Sequence, residues 1–276
     1  MKNIVQLTSG LGNQMFQYAF GLAVDARFDT SWFQGPVGPT SIPRKFELPL
    51  FKCEVPVIPA SETMKLVKRP KFLRALGLKP KLETLREPTP SIFHPEYLSL
   101  SSTNFVGYFQ CEKYFLNLRS QLLSKFQIRN PSAKLRAIET AIRGCRSVSI
   151  HVRRGDYVQL SDTMGLCSMD YYRTSMRFMR EREKSPKFFI FSDDINWAKQ
   201  AFANEHDCKF IDETWDNSLC DMALMAACDH NIIANSTYSW WGAWLNQNPE
   251  KIVIAPSKWL ATGARTDIVP DSWMRI

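Results

Sequence analysis

Apolar and polar positions along the chain recur with two periods, and these sort the sequence into strands and helices. Residues 3–8 open with an apolar run, Ile4, Val5 and Leu7, that reads as a short buried strand. The turn Ser9-Gly10-Leu11-Gly12 follows. Phe16, Ala19, Phe20 and Ala23 then recur at helical spacing, which predicts a helix from about Asn13, a residue suited to N-capping. Strand, glycine turn and helix make the opening of an α/β unit. Residues 34–60 are rich in proline and glycine and predict a long loop. A helix is expected over residues 113–126, a link at 127–132 and a further helix from about Ser132 to Gly144.

The second half alternates regularly. Strands are expected at residues 147–152, 187–191, 209–211, 231–234 and 251–255. Helices are expected at 169–184, 195–205 (with Asp194 as cap), 218–228 and from Trp240 to Leu245. Strands separated by helices of ~10–15 residues predict a parallel sheet covered on both faces. Ligands of such sheets bind beyond the C-terminal ends of the strands. That rule selects residues 10–14, 151–156, 192–194 and 235–239, all of which follow apolar strands.

The 276 residues suffice for one large domain or two of ordinary size, and 45% apolar content is that of a globular protein. No stretch approaches the ~20 apolar residues of a membrane span. Met1-Lys2-Asn3-Ile4-Val5 has no apolar signal core, so a cytoplasmic protein is expected. The seven cysteines are odd in number and widely spaced without a C-x-x-C, which fits reduced thiols better than disulfides or zinc. The net charge of +8 concentrates in residues 65–86, where eight cations face Glu83 alone. Interleaved apolar residues allow a peripheral contact with an anionic membrane or a phosphorylated carrier there, although a solvated helix face is the favoured reading. No nucleic-acid recognition motif accompanies the charge.

Four segments carry candidate chemistry. Gly10-x-Gly12 before a helix suits phosphate on backbone N–H groups, or is simply a tight turn. A dinucleotide fingerprint would place a third glycine where Met15 stands; Asp29 lies at a tolerable distance for a ribose contact, which keeps an oxidoreductase reading open. In His151-Val152-Arg153-Arg154-Gly155-Asp156-Tyr157, one guanidinium could clamp a diphosphate and stabilise the charge that grows on it as a donor bond breaks. Strand alternation puts His151 and Arg153 on one side and Arg154 on the other, and a structural Arg154–Asp156 pair is expected. Asn235-Ser236-Thr237-Tyr238-Ser239 crowds amides and hydroxyls into a strand-to-helix turn, for phosphate oxygens or for plain N-capping. Asp221 either accepts the paired N–H donors of guanine or is a favourable charge in a first helical turn. The chain contains no D-x-D, so arginine and backbone, rather than a metal ion, are expected to neutralise any diphosphate.

Taken together, residues 10–21, 151–157, Phe191-Ser192-Asp193-Asp194 and residues 234–242 resemble the α-1,2-fucosyltransferases of glycosyltransferase family eleven, of the bacterial type without a membrane anchor. Gly107-Tyr108-Phe109-Gln110, Glu112-Lys113-Tyr114-Phe115 and the ending at residues 266–273 add to the likeness, which thus runs from residue 5 to the C-terminus. Ser9 departs from it, because many relatives carry a glycine there. The resemblance implies a GT-B-type α/β fold: two Rossmann-like domains, 1–130 on the acceptor side and 131–276 binding the donor, facing a nucleotide-sugar cleft, with a last helix packing back on the first domain. It implies inverting transfer of L-fucose from GDP-β-L-fucose to the 2-hydroxyl of a terminal galactose, without cofactor or metal. Arg153 would hold the β-phosphate, His151 and Asp221 guanosine, and Ser236 or Thr237 phosphate. Gly10, Gly12, Asn13, Gln14, Ser192, Asp193, Asn235 and Ser239 complete the expected donor set. Asp162 is the first candidate base and Asp156 the second. Tyr108, Phe109 and Trp240 are the candidates for stacking on an acceptor sugar. The same fold could use another nucleotide sugar or another acceptor hydroxyl.

Overall fold

The strand, turn and helix expected at the N-terminus are present in the computed structural model, which describes residues 2–35, 43–68, 79–215 and 217–276. β1 (Asn3–Gln6) leads into α1 (Leu11–Ala23). The helix begins two residues before Asn13: Gly10 is its N-cap, and no side chain caps it. Asn13 therefore lies inside the first turn, where its amide donates to Ser9 Oγ at 3.0 Å. Ser9 takes the left-handed conformation, φ 66°, at the position where glycine was expected of relatives. α1 buries most of its circumference, and Gly21 sets how closely it lies on the sheet: a Cβ there would sit 2.3 Å from the Phe28 ring.

The first unit, Met1–Arg129 with Thr266–Pro270, is built on a parallel five-stranded sheet. Its other strands are β2 (Ala26–Asp29), β3 (Val57–Ile58), β4 (Glu83–Arg86) and β5 (Thr103–Val106), in the order β3-β2-β1-β5-β4. None of these four was expected, because no sustained apolar run or alternation marks Ala26–Asp29, Glu83–Arg86 or Thr103–Val106, and β3 has only two residues. The expected 34–60 loop contains β3 and ends where α2 (Ala60–Val67) begins; its residues 36–42 lie outside the described ones, as do residues 69–78 of the basic segment. In place of one helix over 113–126 there are two 3-10 turns, Glu112–Tyr114 and Leu116–Leu118, and then α3 (Arg119–Lys125). An aromatic core fills this unit, with Phe20 stacked on Phe109 at 4.1 Å and set edge-on against Phe105 and Tyr114.

The second unit, Asn130–Arg265 with Asp271–Ile276, holds six parallel strands: β6 (Ser147–Val152), β7 (Lys187–Ser192), β8 (Cys208–Phe210), β9 (His230–Ile232), β10 (Val253–Ala255) and β11 (Met274–Arg275). Their order is β11-β10-β9-β6-β7-β8. The helices are α4 (Ala133–Arg143), α5 (Ser161–Met164), α6 (Met169–Arg182), α7 (Ile195–Ala201), α8 (Leu219–Ala227) and α9 (Thr237–Leu245). Ser132, Ser168 and Asp194 cap α4, α6 and α7 through their side chains. α9 starts at Thr237, three residues before the expected Trp240, because Ser236 supplies the cap. All six positions of β6 are buried, as a central parallel strand requires. Strand order reverses between β6 and β9, which makes their C-terminal ends the crevice where an open α/β sheet binds ligands.

The expected closing helix is absent. Residues 266–270 return to the first unit as irregular chain, the Asp267 N–H donating to Ser91 O at 2.7 Å and its carboxylate accepting the Phe93 N–H at 2.9 Å. No helix among the described residues is long and apolar enough to cross a membrane. The close approach at Gly21 yields a test. Gly21→Ala should destabilise the protein by about 1–3 kcal/mol through overpacking against Phe28, despite the better helix propensity of alanine. Urea denaturation checks it, and an unchanged or higher midpoint contradicts it.

Candidate active site

Charge appears as soon as β6 ends. The Arg153 guanidinium lies between two carboxylates: one terminal nitrogen bonds Asp156, and the other bonds Asp193 Oδ2 at 2.8 Å. Asp193 follows the end of β7, and the register that pairs Val152 with Ser192 brings it there. Asp156 is folded back by a 3-10 turn, Gly155–Val158. Arg153 Nε is buried and has no partner, and the guanidinium carbon lies 5.2 Å from the centre of the Tyr157 ring. Gly155 has no room for a side chain, since a Cβ would lie 2.5 Å from Asp193 Oδ2.

The expected Arg154–Asp156 pair does not form. Arg154 leaves on the other side of the strand, as alternation predicts, and there it meets Asp194 at 3.2 Å and the Trp197 ring at 4.0 Å. Its backbone N–H donates to Asp193 Oδ1 at 2.9 Å. Asp156 is thus committed to Arg153. Asp162 is exposed in the first turn of α5. Ser192 Oγ accepts the Asp194 N–H, a local turn contact.

His151 precedes this cluster on β6 and is buried. Burial, and secondarily the charge of Arg153, push its pKa down to about 3, so the imidazole is neutral at ordinary pH. Its Nδ1 has no partner. The ring centre lies 5.7 Å from that of Tyr238. The Tyr238 hydroxyl accepts the Met222 N–H at 3.0 Å and donates to Ser218 O, which ties α9 to the first turn of α8. Asp221 occupies that turn and accepts the Trp215 indole N–H at 2.7 Å. Burial raises the Asp221 pKa to about 6, against the opposing pull of the Trp215 bond.

The turn after β9 divides its polar groups. The Asn235 amide donates to the carbonyls of Met164, Gly165 and Trp259, so it braces two segments and has no hydrogen left for a ligand. Ser236 caps α9, and the buried Ser239 hydroxyl bonds the Ala234 and Ser236 carbonyls. Thr237, partly exposed at the first helical position, is the remaining hydroxyl of the set.

Several expected ligand contacts in the first unit are structural. Gln14 is fully buried: its amide donates to Ser9 O and Lys45 O, and its carbonyl accepts the Glu47 N–H. Gly12 is buried within α1, whereas Gly10 and Asn13 are partly exposed at its start. Asn13 accepts from the Gln110 amide at 2.8 Å, and Gln110 in turn accepts the Ser91 hydroxyl. Asp29 is buried and accepts the Ser31 N–H in the turn after β2. Phe109 and Trp240 have no exposed surface and belong to the two cores, so neither can stack on a sugar; Tyr108 keeps partial exposure. Sequence reasoning passed over Glu87, whose Oε2 accepts the Tyr108 and Phe109 N–H groups while Oε1 is buried without a partner, a setting in which burial raises its pKa. It also passed over Trp215, which no local pattern marks.

The titration of Asp221 has a definite sign. The native carboxyl keeps its proton up to about pH 6, whereas the unfolded one releases it in the ordinary carboxylate range, so its burial erodes stability as pH rises across that interval. Asp221→Asn should therefore raise Tm by several degrees at about pH 7.5 and by little at about pH 4. Thermal denaturation at the two pH values checks it; an equal offset at both contradicts the assignment.

Comparison with known proteins places this geometry. The family model for glycosyl transferase family 11 matches residues 1–276. An α-1,2-colitosyltransferase of Escherichia coli is 34% identical over 286 residues, covering 99% of this chain and 98% of the relative. The O-antigen biosynthesis glycosyltransferase WbnK of Escherichia coli is 32% identical, covering 98% and 99%. Among solved structures, the NodZ α-1,6-fucosyltransferase co-crystallised with GDP shares the fold, with a TM-score of 0.50 at 16% identity over 87% of this chain and 91% of that one. The chain belongs to glycosyl transferase family 11.

Proposed function

We propose that this glycosyltransferase moves L-fucose from GDP-β-L-fucose to the 2-hydroxyl of a terminal galactose, with inversion at the fucose anomeric carbon. The observation that carries the reading is the Arg153 guanidinium just past the C-terminal end of β6, two residues from a neutral buried His151 and at the crevice between β6 and β9. As the glycosidic bond lengthens, negative charge collects on the departing diphosphate. A fixed guanidinium stabilises that charge more than it stabilises the ground state. In the unliganded protein Asp156 and Asp193 hold Arg153 in place; an arriving phosphate takes over part of that pairing and meets the unpartnered Nε. Thr237 and the N-terminal N–H groups of α9 add donors to the same anion.

The acceptor hydroxyl attacks opposite the departing GDP through a transition state of oxocarbenium character. Asp162 is the first candidate for its base, being exposed, and Asp156 is second because Arg153 engages it. No metal enters this scheme, since the chain offers no D-x-D for one to bridge. A second reading, favoured by the 34% identity to a colitosyltransferase, keeps the site and replaces fucose by colitose, its 3-deoxy counterpart.

GDP should raise Tm well above the effect of equal UDP, ADP or NAD. Rates with GDP-fucose and GDP-colitose on a β-galactoside acceptor then separate the two donors. Arg153→Lys should lower kcat by about 10²-fold or more with the fold retained, because a point charge cannot reproduce the planar fork. Near-normal turnover would remove Arg153 from the role. Treatment with EDTA should leave the rate unchanged.

A further inference from the structure

Trp215 lies in the segment before α8 and donates its indole N–H to Asp221 Oδ1 at 2.7 Å. The contact is itself fixed from behind. Lys134 on α4 places its ammonium 5.1 Å from the centre of the Trp215 ring, and Lys134 is paired with Glu213 at 2.5 Å. The first turn of α8 is held by the Tyr238 hydroxyl, which contacts Ser218 and Met222 on either side of Asp221. The carboxylate is thus oriented from both ends of its turn. A carboxylate has about four acceptor lobes over its two oxygens, and the indole takes one.

We propose that Trp215 is a positioning residue for the donor base: its indole N–H sets the Asp221 carboxylate so that the remaining acceptor lobes face the paired N–H edge of a guanine nucleotide. This rests on the reading of the second unit as a guanine-nucleotide site. The arrangement makes base recognition pH-dependent. A protonated Asp221 turns one acceptor into a donor and opposes one of the two purine N–H groups. Among its surroundings, α9 presents the Tyr238 phenol, against whose ring the His151 imidazole of β6 lies, and α4 presents Lys134, which is engaged with Glu213 and the Trp215 ring. His151 stays neutral throughout the range in which Asp221 titrates.

The test compares GDP with inosine diphosphate, which lacks the exocyclic amino group but carries the same phosphates. Their affinity ratio therefore cancels the titration of the diphosphate. Calorimetric titration of the full chain from about pH 5 to about pH 8 should show a GDP preference of about tenfold in neutral solution, the worth of one added hydrogen bond to a charged acceptor, collapsing in acid. Trp215→Phe should move that collapse to higher pH, because the bond that holds the ionised form is lost, and Asp221→Asn should abolish the pH dependence. A Trp215→Phe protein that weakens GDP and inosine diphosphate equally at every pH overturns the positioning role. An Asp221→Asn protein that keeps the full GDP preference overturns the guanine reading itself. Should Trp215→Phe fail to fold, the wild-type protein with 15N-labelled indoles answers. One indole resonance, displaced in Asp221→Asn, should titrate with the midpoint of the GDP preference; indoles that are all flat across that range overturn the proposal.

Discussion

The second unit is organised around one electrostatic problem: a guanidinium placed where a wholly buried strand stops. Its cost is contained by carboxylates that arrive from two directions, Asp156 by a tight turn of the same segment and Asp193 from the neighbouring strand. Much of the local architecture follows from that need. Gly155 must lack a side chain to let Asp193 approach, and Arg154 must go to the other side, where Asp194 and Trp197 receive it. Asp194 then does double service as the cap of α7. An anion that binds Arg153 enters a network already in place, so less ordering has to accompany its arrival.

The neighbouring residues show how burial sets protonation. His151 and Asp221 belong to different elements, and burial pushes each toward its uncharged form. A neutral imidazole and a carboxylate that ionises only near neutrality suit a purine, which is recognised through directional hydrogen bonds, better than they suit another phosphate. On the proposed function, the charged part of donor recognition falls to Arg153.

The sequence displays the second unit better than the first for a physical reason. β6 alternates polar and apolar residues over six positions, β7 carries the continuous apolar run Phe188-Phe189-Ile190-Phe191, and serine or aspartate marks the starts of α4, α6 and α7. In the first sheet Ala26–Asp29 carries an arginine and an aspartate and Glu83–Arg86 is almost wholly polar, so no apolar run marks these strands and their pairing is decided by tertiary contact. Site residues divide in a similar way. The placement of His151 and Arg153 at a strand end and of Asp221 in a first helical turn was legible because such boundaries are fixed by local pattern. Which amides face a ligand and which brace the chain was not: Gln14 and Asn235 have the same chemistry as a ligand-binding amide, and only the positions of distant carbonyls decide their use. Trp215 was invisible because its partnership with Asp221 depends on how the chain folds back over six residues.

The return of residues 266–270 to the first unit bears on modular engineering. The backbone passes between the units at 129/130, again at 265/266 and once more at 270/271. A chimera that joined residues 130–276 of this chain to the first unit of a cousin at a single splice would set five foreign residues, 266–270, into the cousin's fold, where they must find counterparts of the Ser91 and Phe93 backbone groups they clasp here. Specificity exchange in this family member is therefore a three-junction graft, with the short returning strap assigned to the half it clasps rather than the half that precedes it in the gene.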